Sequence, residues 1–313
     1  MASARVDQMV ETACGDGGIE TVIEDLPADV MGLVIRRLDG ASLAAMGSAC
    51  SGFRDLASDP DAWRALCLDM WPSVRDVACL GSGGYQSLYA NAFPFPAASS
   101  PPAAPSLPAR LVSAVDLHHK GVCIMSRAVE TDASSPWFQG SPFRVDALVQ
   151  EGFTAPCPIA PDELTLSWIL IDPATGAALN ASSRRPVSVD RTWLSGDAVA
   201  RFTVVLGGGV ALDAAVTCDD RRGHVREVSL CAGDAEGGGV SGRDGLAAVA
   251  AAMATARQRR GAEEAARRVY REFAQGKRDR KEWKARRDGI VDLCCSGVGA
   301  AALLSFLVML TFR

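Results

Sequence analysis

No catalytic or metal-binding signature runs through this sequence, and each absence narrows what the chain does. Its ten cysteines form no CxxC pair and no tidy even spacing. A disulfide framework is therefore not indicated, and with no secretory signal in the opening residues the expectation is reduced thiols in cytosol or nucleus. The net charge of −5 provides no global basic field, which argues against a nucleic-acid partner. Histidine is scarce. His118 and His119 are adjacent, would point opposite ways on a strand, and have no third ligand spaced to join them, so they read as turn residues and no metal is expected. His224, beside Arg222 and Gly223, reads as part of another turn. Gly207-Gly208-Gly209 and Gly237-Gly238-Gly239 lack the strand–loop–helix setting and the following Lys-Ser/Thr of a phosphate loop. There is no GxSxG, kinase or Cys–His arrangement and no persuasive carboxylate pair, so no catalytic residue and no cofactor is expected. No internal repeat of solenoid length is visible.

What the chain does have is an apolar helical block near its start. Residues 1–19 are polar and Gly-rich and read as disordered. From 20 to 70 the sequence reads as three short helices. Leu26, Val30, Leu33, Val34 and Leu38 recur at three- and four-residue steps, the mark of one helical face. Pro27 suits a first turn, and Asp39-Gly40 reads as an αL terminator. Ser42 stands where a cap belongs, ahead of Leu43, Met46, Cys50 and Phe53. Asp59-Pro60 opens a third helix carrying Trp63, Leu66, Cys67 and Met70. A unit this small cannot hide all of those side chains by itself, which points to a partner protein.

Leu26-Pro27, Asp29-Val30, Ile35, Leu38-Asp39-Gly40, Leu43, Cys50-Ser51, Arg54, Trp63 and Leu66-Cys67 resemble an F-box. Trp71-Pro72-Ser73 and the later GYQSLYANAFP are similar to plant F-box proteins, as are WFQGSPFRVD, LTLSWILIDP, SSRRPVSVDR and VREVSL. The resemblance covers most of the chain. It implies docking on a Skp-type adaptor, and through it on a cullin scaffold, by Leu26, Pro27, Val30, Ile35, Leu38, Leu43, Cys50 and Trp63. The competing reading is a helical core subdomain with no partner.

Residues 71–109 read as an extension that ends in a Pro/Ala/Ser linker, where prolines remove backbone donors and favour extended chain. From 110 to 235 the periodicity changes to two and β-branched residues dominate. LVSAVDL, VCIMSRAV, FRVDALV, LTLSWILID, AALNASS, RPVSVD, ARFTVVL, VALDAAVTCD and HVREVSL read as strands joined by hairpin-length turns, which predicts an antiparallel sandwich-like domain. Trp168 lies in an apolar run and reads as core, whereas Trp137 and Trp193 sit in polar surroundings and are candidates for a recognition surface. Arg184-Arg185 is either a solvated strand edge or an anion-reading patch.

Residues 246–288 read as a charged helical region, with Glu263–Arg267 and Glu264–Arg268 spaced four apart and Gly261 and Gly276 as interruptions. Within it KRDRKEWKARR, residues 277–287, holds seven basic and two acidic residues. In the 289–312 segment the twenty residues from Leu293 to Phe312 carry no charge. At about 1.5 Å per helical residue they match one hydrocarbon thickness. The basic flank suits the cytoplasmic side of a span. The expectation is a single-pass C-terminal tail anchor facing the cytosol, at the endoplasmic reticulum. The alternative is a buried helix closing on the β domain, with the protein in cytoplasm or nucleus. Cys294-Cys295 at the span's edge either is acylated or packs within it.

The sequence thus predicts an α+β chain: a three-helix F-box, an antiparallel β-rich domain, a charged helix and a transmembrane helix. It implies a non-catalytic, substrate-recognition subunit of an SCF-type ubiquitin ligase acting on an unknown protein substrate. A second reading is a membrane-anchored, lectin-like module that binds the adaptor without ubiquitinating a target. A hydrolase ranks last, for want of a nucleophile and base.

Overall fold

A computed structural model describes residues 27–77, 80, 83–92, 106–149, 152–219, 221–255 and 268–280, with single positions at 282, 283, 286, 287, 307 and 309. The stretch at 1–19, Leu26, the Pro-rich run 93–105, Gly261, Cys294, Cys295 and nearly all of 289–312 lie outside the described residues. The chain forms two compact units, Met1–Ala57 and Ser58–Arg313.

In the first unit, α1 (Ala28–Ile35) buries Met31 and Ile35, four residues apart on its inner face. Asp39 is not a terminator. Its carboxylate accepts from the Ser42 N–H at 2.7 Å and so caps α2 (Gly40–Met46). The helix expected from Ser42 to Phe53 is split, because the chain turns at Gly47–Cys50 before α3 (Ser51–Ala57) begins. Cys50 Sγ accepts from the Phe53 N–H at 3.4 Å in the manner of a cap. Gly47 admits the close approach of α3, since a Cβ there would stand 3.2 Å from Ala57 Cβ. The block therefore holds four short helices, not three.

The second unit opens with the fourth, α4 (Pro60–Met70), where the Asp59 carboxylate accepts from the Asp61 N–H at 3.0 Å and Pro60 takes the first turn. A 3-10 turn at Pro72–Asp76 and α5 (Gly84–Ala92) follow. The Tyr89 ring lies 5.3 Å from Trp63 and 6.0 Å from Trp71, tying both helices together.

Two antiparallel sheets come next. One has the order β2-β1-β5-β6, from β1 (Arg110–His119), β2 (Val122–Asp132), β5 (Leu164–Ile171) and β6 (Ala178–Asn180). The other runs β3-β10-β9-β8-β7, with the short β4 (Phe153–Thr154) also on β10. Its members are β3 (Arg144–Leu148), β7 (Ser188–Arg191), β8 (Ala198–Val205), β9 (Ala211–Asp219) and β10 (His224–Gly233). The expected strands are all present. One core joins the sheets: Leu111, Val115 and Leu117 of β1 and Leu164, Leu166 and Trp168 of β5 meet Phe202 and Val204 of β8 and Leu212, Ala214 and Val216 of β9.

The two central strands of the first sheet, β1 and β5, are buried on both faces. Val112, Ala114 and Asp116 of β1 and Ile169 and Ile171 of β5 alternate with the core positions and are also buried. The Pro72–Asp76 turn packs on β1 and β2, and α5 packs on β6, so the helical extension supplies a third layer. The compact units divide at Ala57/Ser58, whereas the Pro-rich run had suggested a boundary between extension and sheet. The Ala-rich segment likewise belongs to the sandwich. In α7 (Gly242–Thr255) Leu246 and Val249 enter the core, and Gly245 lies against the Phe143 ring, where a Cβ would come within 2.8 Å. Residues 268–280 are helical without a break at Gly276.

Among the described residues no helix is long and apolar enough to cross a membrane.

Candidate functional site

The first helix presents an apolar face outward. Once Met31 and Ile35 turn inward, the helical period leaves Val30, Leu33 and Val34 on the surface, at 38, 66 and 44 % exposure. Large aliphatic side chains grouped this way on one short helix suit an apolar protein partner. Of the residues the resemblance singled out, Pro27 is exposed beside Val30, Leu38 and Cys50 are half-buried, and Leu26 lies outside the described residues. Ile35 and Leu43 are buried within the first unit, and Trp63 is buried within the second, against Tyr89. Leu33 and Val34 were legible only as periodic positions; their exposure required the structure.

Cys67, in the same block, is also interior. Its thiol donates to the Tyr85 carbonyl at 3.4 Å and links α4 to α5. Burial pushes its pKa up to about 12, which makes it an inert packing thiol.

In the β domain, Trp193 and Leu194 occupy the tip of the β7–β8 hairpin at 90 and 79 % exposure. The turn beneath them is braced. The Thr192 N–H donates to the Asp197 carbonyl and the Gly196 N–H to the Thr192 carbonyl, each at 2.9 Å, and the hydroxyls of Thr192 and Ser195 lie 2.6 Å apart. Arg226 pairs with the nearly buried Asp197 at 3.0 Å, joining the tip to β10. Trp137, on α6 (Pro136–Gly140), is also strongly exposed, but the register separates the two tryptophans. β3 enters beside the exit of β10, where Arg144 pairs with Cys231, while Ala198 after the Trp193 turn pairs with Cys218 near the β10 entry. They stand at opposite ends of the six-stranded sheet. Arg184 and Arg185 are exposed on the segment from β6 to β7. The Arg184 carbonyl accepts from the Leu166 N–H at 2.9 Å, which puts the pair along the edge of the smaller sheet.

The histidines are not in the turn. Both lie on β1, and Lys120-Gly121 make the turn with φ of 52° and 81°. His119 is buried, and its Nε2 accepts from the Ala160 N–H at 3.2 Å. That bond uses the Nε2 lone pair, so the proton sits on Nδ1, 3.5 Å from Cys157 Sγ. Glu163 Oε2, 3.8 Å from Nε2, pairs instead with Lys120 Nζ at 3.1 Å. This Cys–His contact, invisible at a separation of 38 residues, fastens the 155–160 loop to the end of β1. Among the described residues no three His, Cys, Asp or Glu side chains could hold a metal. Burial holds His118 below its ordinary pKa against the pull of Asp116, and the Arg184 charge adds to the lowering.

Comparison with known proteins agrees with this reading of the helical block. The F-box-like family model matches residues 23–69, which contain all of α1 to α3 and most of α4. The chain is 36 % identical to probable F-box protein At2g36090 of Arabidopsis thaliana over 94 % of its own length and 93 % of the relative's. It is 33 % identical to F-box protein At2g27310 of the same plant, over 91 % of this chain and 94 % of that one. F-box protein At3g44326, also from Arabidopsis thaliana, is 32 % identical over 87 % of this chain and 84 % of its own. No solved structure matches. The identity extends far beyond the helical block, through the sandwich, and the chain belongs to the family of plant F-box proteins.

Proposed function

We propose that this protein is the substrate-recognition subunit of an SCF-type ubiquitin ligase and itself makes and breaks no bond. The observation that carries the proposal is the outward apolar face of Val30, Leu33 and Val34 inside the F-box match. That face docks on the Skp-type adaptor together with Leu26, Pro27, Leu38 and Cys50, while Ile35 and Leu43 hold the first unit from within and Trp63 packs inside the second. The adaptor connects to the cullin scaffold, and the sandwich selects the target. Ubiquitin transfer then follows from proximity, because a tethered target meets the charged enzyme at a high effective concentration. The target contact is the braced Trp193–Leu194 tip, a rigid pair of anchors that loses little conformational freedom on binding. The uncharged stretch from Leu293 to Phe312 anchors the chain in a membrane with the remainder in the cytosol.

Reconstitution tests the proposal. The full chain should co-purify with a Skp-type adaptor and cullin and support ubiquitin transfer to captured targets. Adaptor binding without transfer to any captured protein would leave a binding module and overturn the ligase role.

A further inference from the structure

The basic segment before the C-terminal stretch is not a tail hanging at random from the sandwich. Tyr270 reaches Ser188 of β7, and from there residues 268–280 run to the loop after β10. At that loop Arg280 donates from Nε and Nη2 to the Ala235 carbonyl, at 3.0 and 2.7 Å. Lys277 lies alongside Gly237, where a Cβ would stand 3.1 Å from its Cε. The helix is therefore fastened at the end of the larger sheet where β10 exits and β3 enters. Trp137 belongs to this same end, because α6 leads into Phe143, whose N–H donates to the Val240 carbonyl at 2.8 Å. At 79 % exposure its indole faces solvent there. Trp283, three residues after Arg280 in the sequence, is 63 % exposed with the Arg287 guanidinium 5.2 Å from its ring centroid.

We infer that this end of the sandwich is a second membrane contact, in which Lys277, Arg278, Arg286 and Arg287 meet anionic lipid headgroups and Trp137 and Trp283 enter the interfacial layer. The argument rests on charge and on chain direction. Between 277 and 287 seven basic residues oppose two acidic ones, a net of +5, and with Asp234 and Glu236 on the nearby turn and Asp288 next in sequence a net of +2 remains. The Arg286–Glu282 pair at 3.5 Å is exposed on both sides and does little to neutralise it. Six positions beyond Arg287 begins the uncharged twenty-residue stretch. Basic side chains near an anionic surface and tryptophans at headgroup depth are what such a flank uses. The geometry has a directional consequence: the Trp193–Leu194 tip, at the far end of the same sheet, points away from the bilayer toward cytosolic targets.

The inference relies on the C-terminal anchor for its orientation, and one experiment separates the two. The full-length chain is added to vesicles of phosphatidylcholine alone or with about 30 % phosphatidylserine, and floated at low and high salt. Binding to both vesicle types is expected, with an added salt-sensitive increment on the anionic ones. The triple variant R278Q/R286Q/R287Q should lose that increment, about five-fold per arginine and about a hundred-fold in all, and keep the neutral binding. Brominated acyl chains should quench tryptophan fluorescence, and W137F/W283F should remove most of the quenching. Equal partition into both vesicle types by wild type and triple variant overturns the contact and leaves the anchor standing. Binding to anionic vesicles alone, released by salt, keeps the contact and removes the anchor. Quenching that survives in W137F/W283F overturns it, as does preferential capture of single-stranded RNA by the same arginines.

Discussion

Ser73 donates both its backbone N–H and its hydroxyl to the carboxylate of Asp116, at 2.9 and 2.6 Å, across 43 residues of sequence. Both residues are fully buried, and Ser126 Oγ on the neighbouring strand adds a third bond at 2.7 Å. The WPS turn that follows the F-box helices is thus bolted to the outer face of β1 by a carboxylate with its acceptors in use. It explains why the helical extension and the sandwich form one unit.

Ser73→Ala should therefore destabilise the second unit as a whole. It deletes one charge-assisted bond and leaves a buried carboxylate short of a donor, a loss of about 2 kcal/mol. The melting temperature of the full chain should fall. A fragment beginning at Leu107 should fare worse, since it uncovers Val112, Ala114, Ile169 and Ile171 as well. A fragment from Ser58 to Arg280 should melt cooperatively. Equal melts for the two fragments would show that the extension contributes nothing to the sheet.

Asp116 also gives stability a pH dependence of definite sign. Burial holds its pKa above the ordinary 3.8, although the bonds from Ser73 and Ser126 pull downward. From 3.8 up to the folded value the native state keeps a proton that the unfolded chain has released. Stability therefore falls as pH rises through that window. His118 acts oppositely. Its pKa is lowered from 6.5, so between the folded value and 6.5 the native state has lost a proton the unfolded chain retains, and stability rises with pH. Asp116→Asn keeps an acceptor for the Ser73 N–H, removes the first effect and, by taking away the charge that pulls His118 upward, lets the His118 effect grow in the same direction. Relative to Asp116→Asn, the wild-type urea midpoint should drop as pH increases from about 4. A constant difference between the two proteins would contradict the assignment.

The strands were legible because their burial is written in local pattern. VALDAAVTCD alternates, and β9 buries Leu212, Ala214, Val216 and Cys218 on one side. LTLSWILI alternates over its first half and is unbroken apolar from Trp168 to Ile171, and there β5 is covered on both faces, as such runs require. Helix breaks were harder. Asp39 read as an ending because Asp-Gly is a turn signal, yet its carboxylate reaches forward to Ser42 and starts a helix. The remaining relationships depend on strand order and register, which no local pattern contains. The Ser73–Asp116 bonds, the contact of His119 with Cys157 and the separation of Trp137 from Trp193 are all of this kind.

Leu33→Asp with Val34→Asp should abolish adaptor capture and leave folding intact. Both side chains are exposed, so charge placed there costs the fold within about 0.5 kcal/mol. An apolar anchor lost from an interface costs about 2 kcal/mol or more, and two of them should weaken capture at least a hundred-fold. Ile35→Asp, by contrast, buries a charge and should unfold the first unit. Co-purification with the adaptor beside circular dichroism separates these outcomes. Full capture by the exposed-face variant would remove α1 from the interface.

Trp193→Ser with Leu194→Ser should erase target selection without touching adaptor binding. The tip keeps its shape in the variant, because the bonds among Thr192, Ser195, Gly196 and Asp197 involve neither altered side chain. Its melting temperature should match wild type, since both residues are largely solvated. Proximity labelling under proteasome inhibition supplies the readout. Proteins enriched by the wild-type chain, and degraded when inhibition is lifted, should vanish from the variant's labelled set while the adaptor remains. Trp137→Ser, at the opposite end of the sheet, is the matched control for removing an exposed indole and should leave the target set unchanged. If Trp193→Ser/Leu194→Ser labels the same proteins as wild type, the recognition surface lies elsewhere on the sandwich. If Trp137→Ser loses them instead, the end assigned to the bilayer is the one that reads targets.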